Sequence, residues 1–380
     1  VTGALLGRVR VEVAEGEIKD VSDKFSTGEL LSRKADVAAG QRARLTSPPP
    51  AAAPATAAAG PGLRAPKSMG ATVPYEINAM AVGDFDKIGR PQLVLADENT
   101  VYLYSYPLTD AKPLSQMTIP GTGLRIVGLE SGDLDGDGGD ELFVSVFDQT
   151  FNRFETRVLS MQNGRWLKVA DLPFLTRSYQ DATGKRVLAS QQVIDDRSFP
   201  FGAIYPLAYR DEKYEQGRPA LKLRRVDWLF DFTTAQIGAG APAVLYYTSV
   251  HRLRVQFGKE WWPTPDDDYG QTPVRIRWQG RLLEFNPPLA VTYGPKGGFE
   301  DAYAVRNMAA LGGLASPFGL FNHAELTAKR WNGLGLETAW KADLSGCAQG
   351  LAVVDDAGHK ELAVAVRGSA GQSSVWIFEP

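Results

Sequence analysis

From Tyr75 to Pro380 one hydrophobic pattern recurs. An Asp-containing turn leads into a short apolar run, then an aromatic-rich strand, then a polar one. The clearest copies are Gly83-Asp84-Phe85-Asp86 before Gln92-Leu93-Val94-Leu95, and Gly132-Asp133-Leu134-Asp135 before Glu141-Leu142-Phe143-Val144. A weaker copy, Val354-Asp355-Asp356 before Glu361-Leu362-Ala363-Val364, ends the chain. Decayed copies are expected near Asp181–Leu188, Asp231–Tyr246 and Asp301–Leu311. Apolar runs of this length between turn residues suit strands buried on both faces. A period near fifty residues with four strands per unit predicts a propeller blade. Six anchors predict an all-β fold, a six- or seven-bladed β-propeller over 75–380. Its terminal strands should pair, because an open last blade leaves a bare sheet edge.

The amino-terminal region differs. Residues 1–45 hold two alternating stretches, Leu5 to Val13 and Glu17 to Val21, which predict a small β-module. Residues 46–74 begin Thr46-Ser47-Pro48-Pro49-Pro50 and continue rich in Ala and Pro. Such a stretch cannot bury a core and is expected to be an extended linker. The β-module begins in mid-pattern, so its first strands are expected upstream or in another chain.

Composition narrows the chemistry. Lys and Arg total 41 against 44 Asp and Glu, so bulk charge suggests neither a nucleic-acid nor an anionic-membrane partner. No apolar run reaches the length of a membrane-spanning helix. The single cysteine, Cys347, forms no intrachain disulfide and is expected to be a small buried residue. His323 is expected at a strand end. The sequence Trp261-Trp262-Pro263-Thr264-Pro265-Asp266-Asp267-Asp268 is expected to be a solvated loop with one tryptophan between blades, and Phe199-Pro200-Phe201-Gly202 a turn. No serine-nucleophile elbow, zinc-protease helix, or phosphate or dinucleotide loop is present.

The segment Asp133-Leu134-Asp135-Gly136-Asp137-Gly138-Gly139-Asp140-Glu141 carries the strongest chemical signal. Carboxylates at its first, third, fifth and ninth positions converge if the loop curls. Gly138 supplies a left-handed turn for that curl. Hard oxygen ligands at this density suit Ca²⁺. The expected ligands are Asp133, Asp135, Asp137, the Gly139 carbonyl and Glu141. The apolar strand that follows excludes an EF-hand, whose loop continues as a helix. In the first copy Ile88 and Gln92 replace two of the carboxylates, so a metal-free relic is expected there, with Lys87 standing in for the ion.

This Asp-x-Asp-x-Asp-Gly loop running into an apolar strand resembles the calcium loop of FG-GAP/VCBS repeats of integrin-α-like and bacterial surface propellers. Residues 1–45 resemble the second half of the flagellar FlgT carboxy-terminal domain. They carry its Thr2-Gly3-Ala4-Leu5-Leu6-Gly7 strand, its Glu17-Ile18 strand and its Phe25-Ser26 strand. Together these resemblances imply a non-enzymatic, calcium-stabilised scaffold of the bacterial cell envelope, in the periplasm, at the outer membrane or on the surface. Its expected partner is an envelope protein assembly or a glycan. The alternatives are a hydrolase or lyase with a channel active site, and a structural subunit of a surface ring or filament.

Overall fold

The computed structural model describes residues 13–21, 26–37, 62–181, 183–194, 201–238, 242–264, 269–294, 297–313, 319–333, 335–368 and 371–380. The chain divides into two compact units, Val1–Ala59 and Gly60–Pro380. In the first, Ala14–Val21 pairs antiparallel with Ser26–Arg33. Leu5 to Val9, the proline run and Asp266-Asp267-Asp268 lie outside the described residues.

The second unit is a six-bladed β-propeller. Blade 1 is Ala79–Gly83, Gln92–Ala96, Thr100–Ser105 and Ser115–Thr118, and blade 2 is Leu124–Gly132, Glu141–Asp148, Arg153–Gln162 and Arg165–Leu172. Blade 3 is Leu175–Gln180, Arg186–Val193, Phe201–Arg210 and Lys213–Gln216, and blade 4 is Phe232–Ala235, Ala243–Tyr247, Leu253–Phe257 and Glu260–Pro263. Blade 5 holds Ala290–Tyr293, Phe299–Gly313, Phe321–Trp331 and Leu336–Leu344, and blade 6 holds Cys347–Asp356, His359–Arg367 and Ser373–Phe378. The second strands of blades 1 and 2 are buried along their whole length, which is why their sequences lack the apolar–polar alternation of a one-sided strand. Ser115–Thr118, at the rim of blade 1, alternates between half-buried and exposed positions.

Ring closure comes from the amino-terminal side. Ser68–Met69 adds antiparallel to the last strand, pairing Met69 with Trp376 and Ser68 with Ile377. Gly62–Leu63 adds parallel to Leu336–Leu344. Both strands lie in the stretch read as linker, so the propeller begins earlier than Tyr75. Prolines are sparse beyond Pro61, and amides on either side of Pro66 are bonded: Arg64 N donates to Lys341 O (2.7 Å) and Lys67 N to Ile377 O (2.7 Å).

Two of the expected turn copies sit elsewhere. Asp231 precedes the first strand of blade 4, and Asp301 lies inside the second strand of blade 5. Asp301 is buried and holds Arg330 through two bonds of 2.9 and 2.7 Å, so this carboxylate serves a cross-strand ion pair rather than a turn. The copies at Asp84, Asp133 and Asp181 lie between first and second strands, while Asp355 and Asp356 end the first strand of blade 6.

An additional hairpin, Arg275–Trp278 with Arg281–Glu284, follows blade 4. It reaches across to blade 2. Trp278 Nε1 donates to Asn152 O (3.1 Å), and the Trp278 ring lies 6.2 Å from Phe154. Trp228 Nε1 donates to Glu284 O (2.7 Å), and Phe230 meets Phe285 edge-on at 4.8 Å. This aromatic cap covers the propeller at the end where the first strand of blade 2 begins.

Candidate metal loop and its neighbour

The loop after Gly132 curls as its glycines allow: Gly136 and Gly138 take φ of 77° and 91°. Asp133 folds back to accept the amides of Gly136 (2.9 Å) and Gly138 (3.2 Å). Asp135 accepts the Asp137 amide (3.0 Å), and Glu141 accepts the Leu134 amide (3.0 Å). Asp133, Asp135 and Glu141 thereby place carboxylate oxygens within 4.8 Å of one another. Asp133 and Asp135 are exposed, whereas Glu141 is 2% exposed. Burial pushes the Glu141 carboxyl up to about 8, against the pull of the Leu134 amide and with further push from Asp135 and Asp133.

Asp137 is turned to other work. Its carboxylate is 2.7 Å from Lys87 Nζ of blade 1 and accepts the Gly139 amide (3.0 Å). The Lys87 ammonium holds the Asp137 carboxyl below the usual range. Lys87 therefore reaches the neighbouring blade's loop rather than the centre of its own. Asp140 completes this latch. Its Oδ2 accepts the Asp84 amide (2.8 Å), and its own amide donates to Asp84 O (2.9 Å). Gly83 permits the approach, since a Cβ there would meet Asp140 Oδ2 at 2.4 Å.

The blade 1 loop repeats the geometry without the charge. Asp84 accepts the amides of Ile88 and Gly89, both at 2.8 Å. Gln92 stands where Glu141 stands in blade 2. Its Oε1 accepts the amides of Phe85 (3.1 Å) and Asp86 (3.0 Å), and its Nε2 donates to Asp86 (2.9 Å). An amide hydrogen thus occupies the gap between side chains that in blade 2 separates only carboxylates. The expected stand-in, Lys87, lies elsewhere; the side chain in that place is Gln92, eight residues after Asp84 as Glu141 is after Asp133.

Residues 84–144 match the FG-GAP-like repeat family. The matched stretch spans both loops and the strands that follow them. No curated protein matches the chain. Among solved structures, a luciferin-regenerating enzyme is similar at 9% identity and a TM-score of 0.43, covering 82% of this chain and 95% of that one. A Trypanosoma rangeli sialidase in complex with sialic acid is similar at 10% identity and 0.43, covering 83% and 59%. A putative oxidoreductase (glucose dehydrogenase) from Thermus is similar at 12% identity and 0.44, covering 82% and 100%.

The remaining candidates are placed as follows. Cys347 is buried, its thiol pushed up to about 12 by burial and its sulfur accepting from Gln349 Nε2 (3.2 Å). His323 lies near the start of its strand, 3.7 Å from Asp343. Trp262 packs against Phe257 and Trp331, while Trp261 is exposed between Arg225 and Arg254. Phe201 begins a strand and stacks on Trp228 at 4.5 Å. No helix among the described residues is long and apolar enough to cross a membrane.

Proposed function

We propose that the chain is a calcium-stabilised β-propeller that serves as a non-enzymatic scaffold, binding protein or glycan in the bacterial cell envelope. The observation that carries the calcium assignment is the contrast between two adjacent loops of one design. In blade 1 an uncharged amide donates to Asp86. In blade 2 the same place holds Glu141, buried beside Asp135 and Asp133, and the nearby Lys87 ammonium is bonded to Asp137 rather than to any of these three. Hard carboxylate oxygens at this spacing fit Ca²⁺. Asp133, Asp135 and Glu141 would hold the ion, with the Gly139 carbonyl within the same loop. Bound there, it would neutralise the cluster and tie the loop to the buried strand that begins at Glu141. Asp137 joins the set only on release from Lys87.

The scaffold half of the proposal rests on the six-bladed propeller and on the match of residues 84–144 to the FG-GAP-like repeat family. Envelope placement rests on the resemblance of residues 1–45 to the FlgT carboxy-terminal domain.

Thermal unfolding with calcium and with chelator tests the calcium assignment. At a hundredfold excess over Kd the ion should add about 2.7 kcal/mol. Asp135→Ala should abolish the gain, and Asp84→Ala should leave it. An unchanged midpoint in the parent, or equal losses in both variants, would reduce the loop to a turn.

A further inference from the structure

The first strand of blade 2 runs from Leu124 to Gly132, so the Asp133 loop and Arg125 lie at opposite ends of it. At the Arg125 end a cavity of about 550 Å³ opens between blades 1, 2 and 6 and the base of the cap. Its lining includes Tyr75, Glu76, Asn78, Glu98, Arg125 and Arg367.

Several of these groups are already committed. Arg367 pairs with Glu76. Tyr75 shares a hydrogen bond with Tyr104 (2.8 Å) and stacks on Tyr102 at 4.3 Å. Three groups are not. Asn78 is 8% exposed and its backbone amide bonds Ala96 O, yet its carboxamide has no partner among the described residues. Arg125 gives Nη1 to Arg275 O (3.2 Å), and its buried Nε has no partner. Glu98 is exposed and its carboxylate is unpaired. The Ile126 amide donates to Glu98 O (2.7 Å), which holds Glu98 beside Arg125, yet the two form no ion pair. The Asn78 carboxamide lines the cavity without a protein partner, so it is open to water or to a ligand.

These three are one cation, one anion and one amide; the Asn99 carboxamide, held only through Oδ1 by Thr100 Oγ1 (2.9 Å), also lines the cavity. A ligand with net charge of either sign would gain from one of Glu98 and Arg125 and lose to the other, so the pair selects for no net charge. An apolar ligand would strand all three groups. Hydroxyls both donate and accept, so a pair on adjacent carbons satisfies a carboxylate, a guanidinium and a carboxamide together. The volume lies in the range of small-molecule sites. We propose that this cavity binds a neutral saccharide of one or two rings, with Asn78, Glu98 and Arg125 bonding adjacent hydroxyls. The proposal deepens the glycan half of the scaffold reading and is independent of the calcium loop. Failure here leaves a protein-binding scaffold standing, and failure of the calcium response leaves this cavity standing.

Saturation-transfer NMR and calorimetric titration of the full chain against neutral mono- and disaccharides test it, with acetate and methylammonium as charged controls, in calcium and in chelator. At least one neutral sugar should bind equally in both buffers. Asn78→Ala and Glu98→Gln should each weaken it tenfold or more with an unchanged melting midpoint; the exposed Glu98 serves as the test if Asn78→Ala disturbs folding. Absence of binding across the panel would overturn the proposal. So would affinity unchanged in both variants, binding of the charged controls alone, or binding that requires calcium.

Discussion

Glu141→Gln converts the blade 2 loop to the chemistry of blade 1. The new amide should donate to Asp135 as Gln92 donates to Asp86, while its oxygen keeps the Leu134 amide. Glu141 faces two carboxylates at no more than 4.8 Å. At that distance each pair repels by about 0.9 kcal/mol at the dielectric of water and about 3.5 kcal/mol at an effective value of 20. Asp133 and Asp135 are exposed, so the lower figure applies, and two such pairs amount to roughly 2 kcal/mol. At about 0.7 kcal/mol per kelvin of unfolding entropy for some 320 residues, the variant should melt about 3 °C higher than the parent in chelator. The assay belongs at pH 9, above the raised Glu141 value of about 8, where the parent's carboxylate is ionised. A carboxyl raised on folding withdraws stability as pH climbs from its unfolded value through its folded one, so the advantage should shrink toward pH 6. In excess calcium the ranking should reverse, because the variant forgoes the ion. A variant that melts below the parent in chelator at pH 9 would refute the repulsion. A variant that keeps the full calcium shift would remove Glu141 from the ligand set.

Lys87→Met should free Asp137 for the ion and raise calcium affinity severalfold in a titration, since Lys87 Nζ now holds that carboxylate at 2.7 Å; weaker binding would show that the latch shapes the loop. A chain beginning at Ala71 should lose about 3 kcal/mol relative to one beginning at Gly60 in chemical denaturation. It forfeits the backbone bonds of Arg64, Lys67 and Gly70 at about 1 kcal/mol each. Equal midpoints for the two chains would show that the closing strands add nothing.

The sequence carried the blade repeat wherever a Gly-Asp turn met an unbroken apolar strand, as in blades 1 and 2, because both signals arise within a dozen residues. Blades 4 and 5 resisted. Asp301 resembles a turn residue but is drawn into a strand by Arg330, 29 positions away. The closing strands were hidden because Gly62–Leu63 and Ser68–Met69 are too short for any periodicity, and only their partners near the far end of the chain make them strands. In the loop, carboxylate spacing indicated four acids around one centre. It could not show that Asp137 is taken by a lysine of the preceding blade, a contact that exists only once the two blades lie side by side. Asn78, Glu98 and Arg125 form no motif; the ring alone brings them to one cavity.

The central claim is a single calcium ion at Asp133, Asp135 and Glu141. Calorimetric titration of calcium into chelator-stripped protein at pH 8.5 tests it most directly, with Asp135→Ala as the control. One equivalent should bind in the parent and none in the variant. No saturable binding in the parent, or the same isotherm in both, would contradict it.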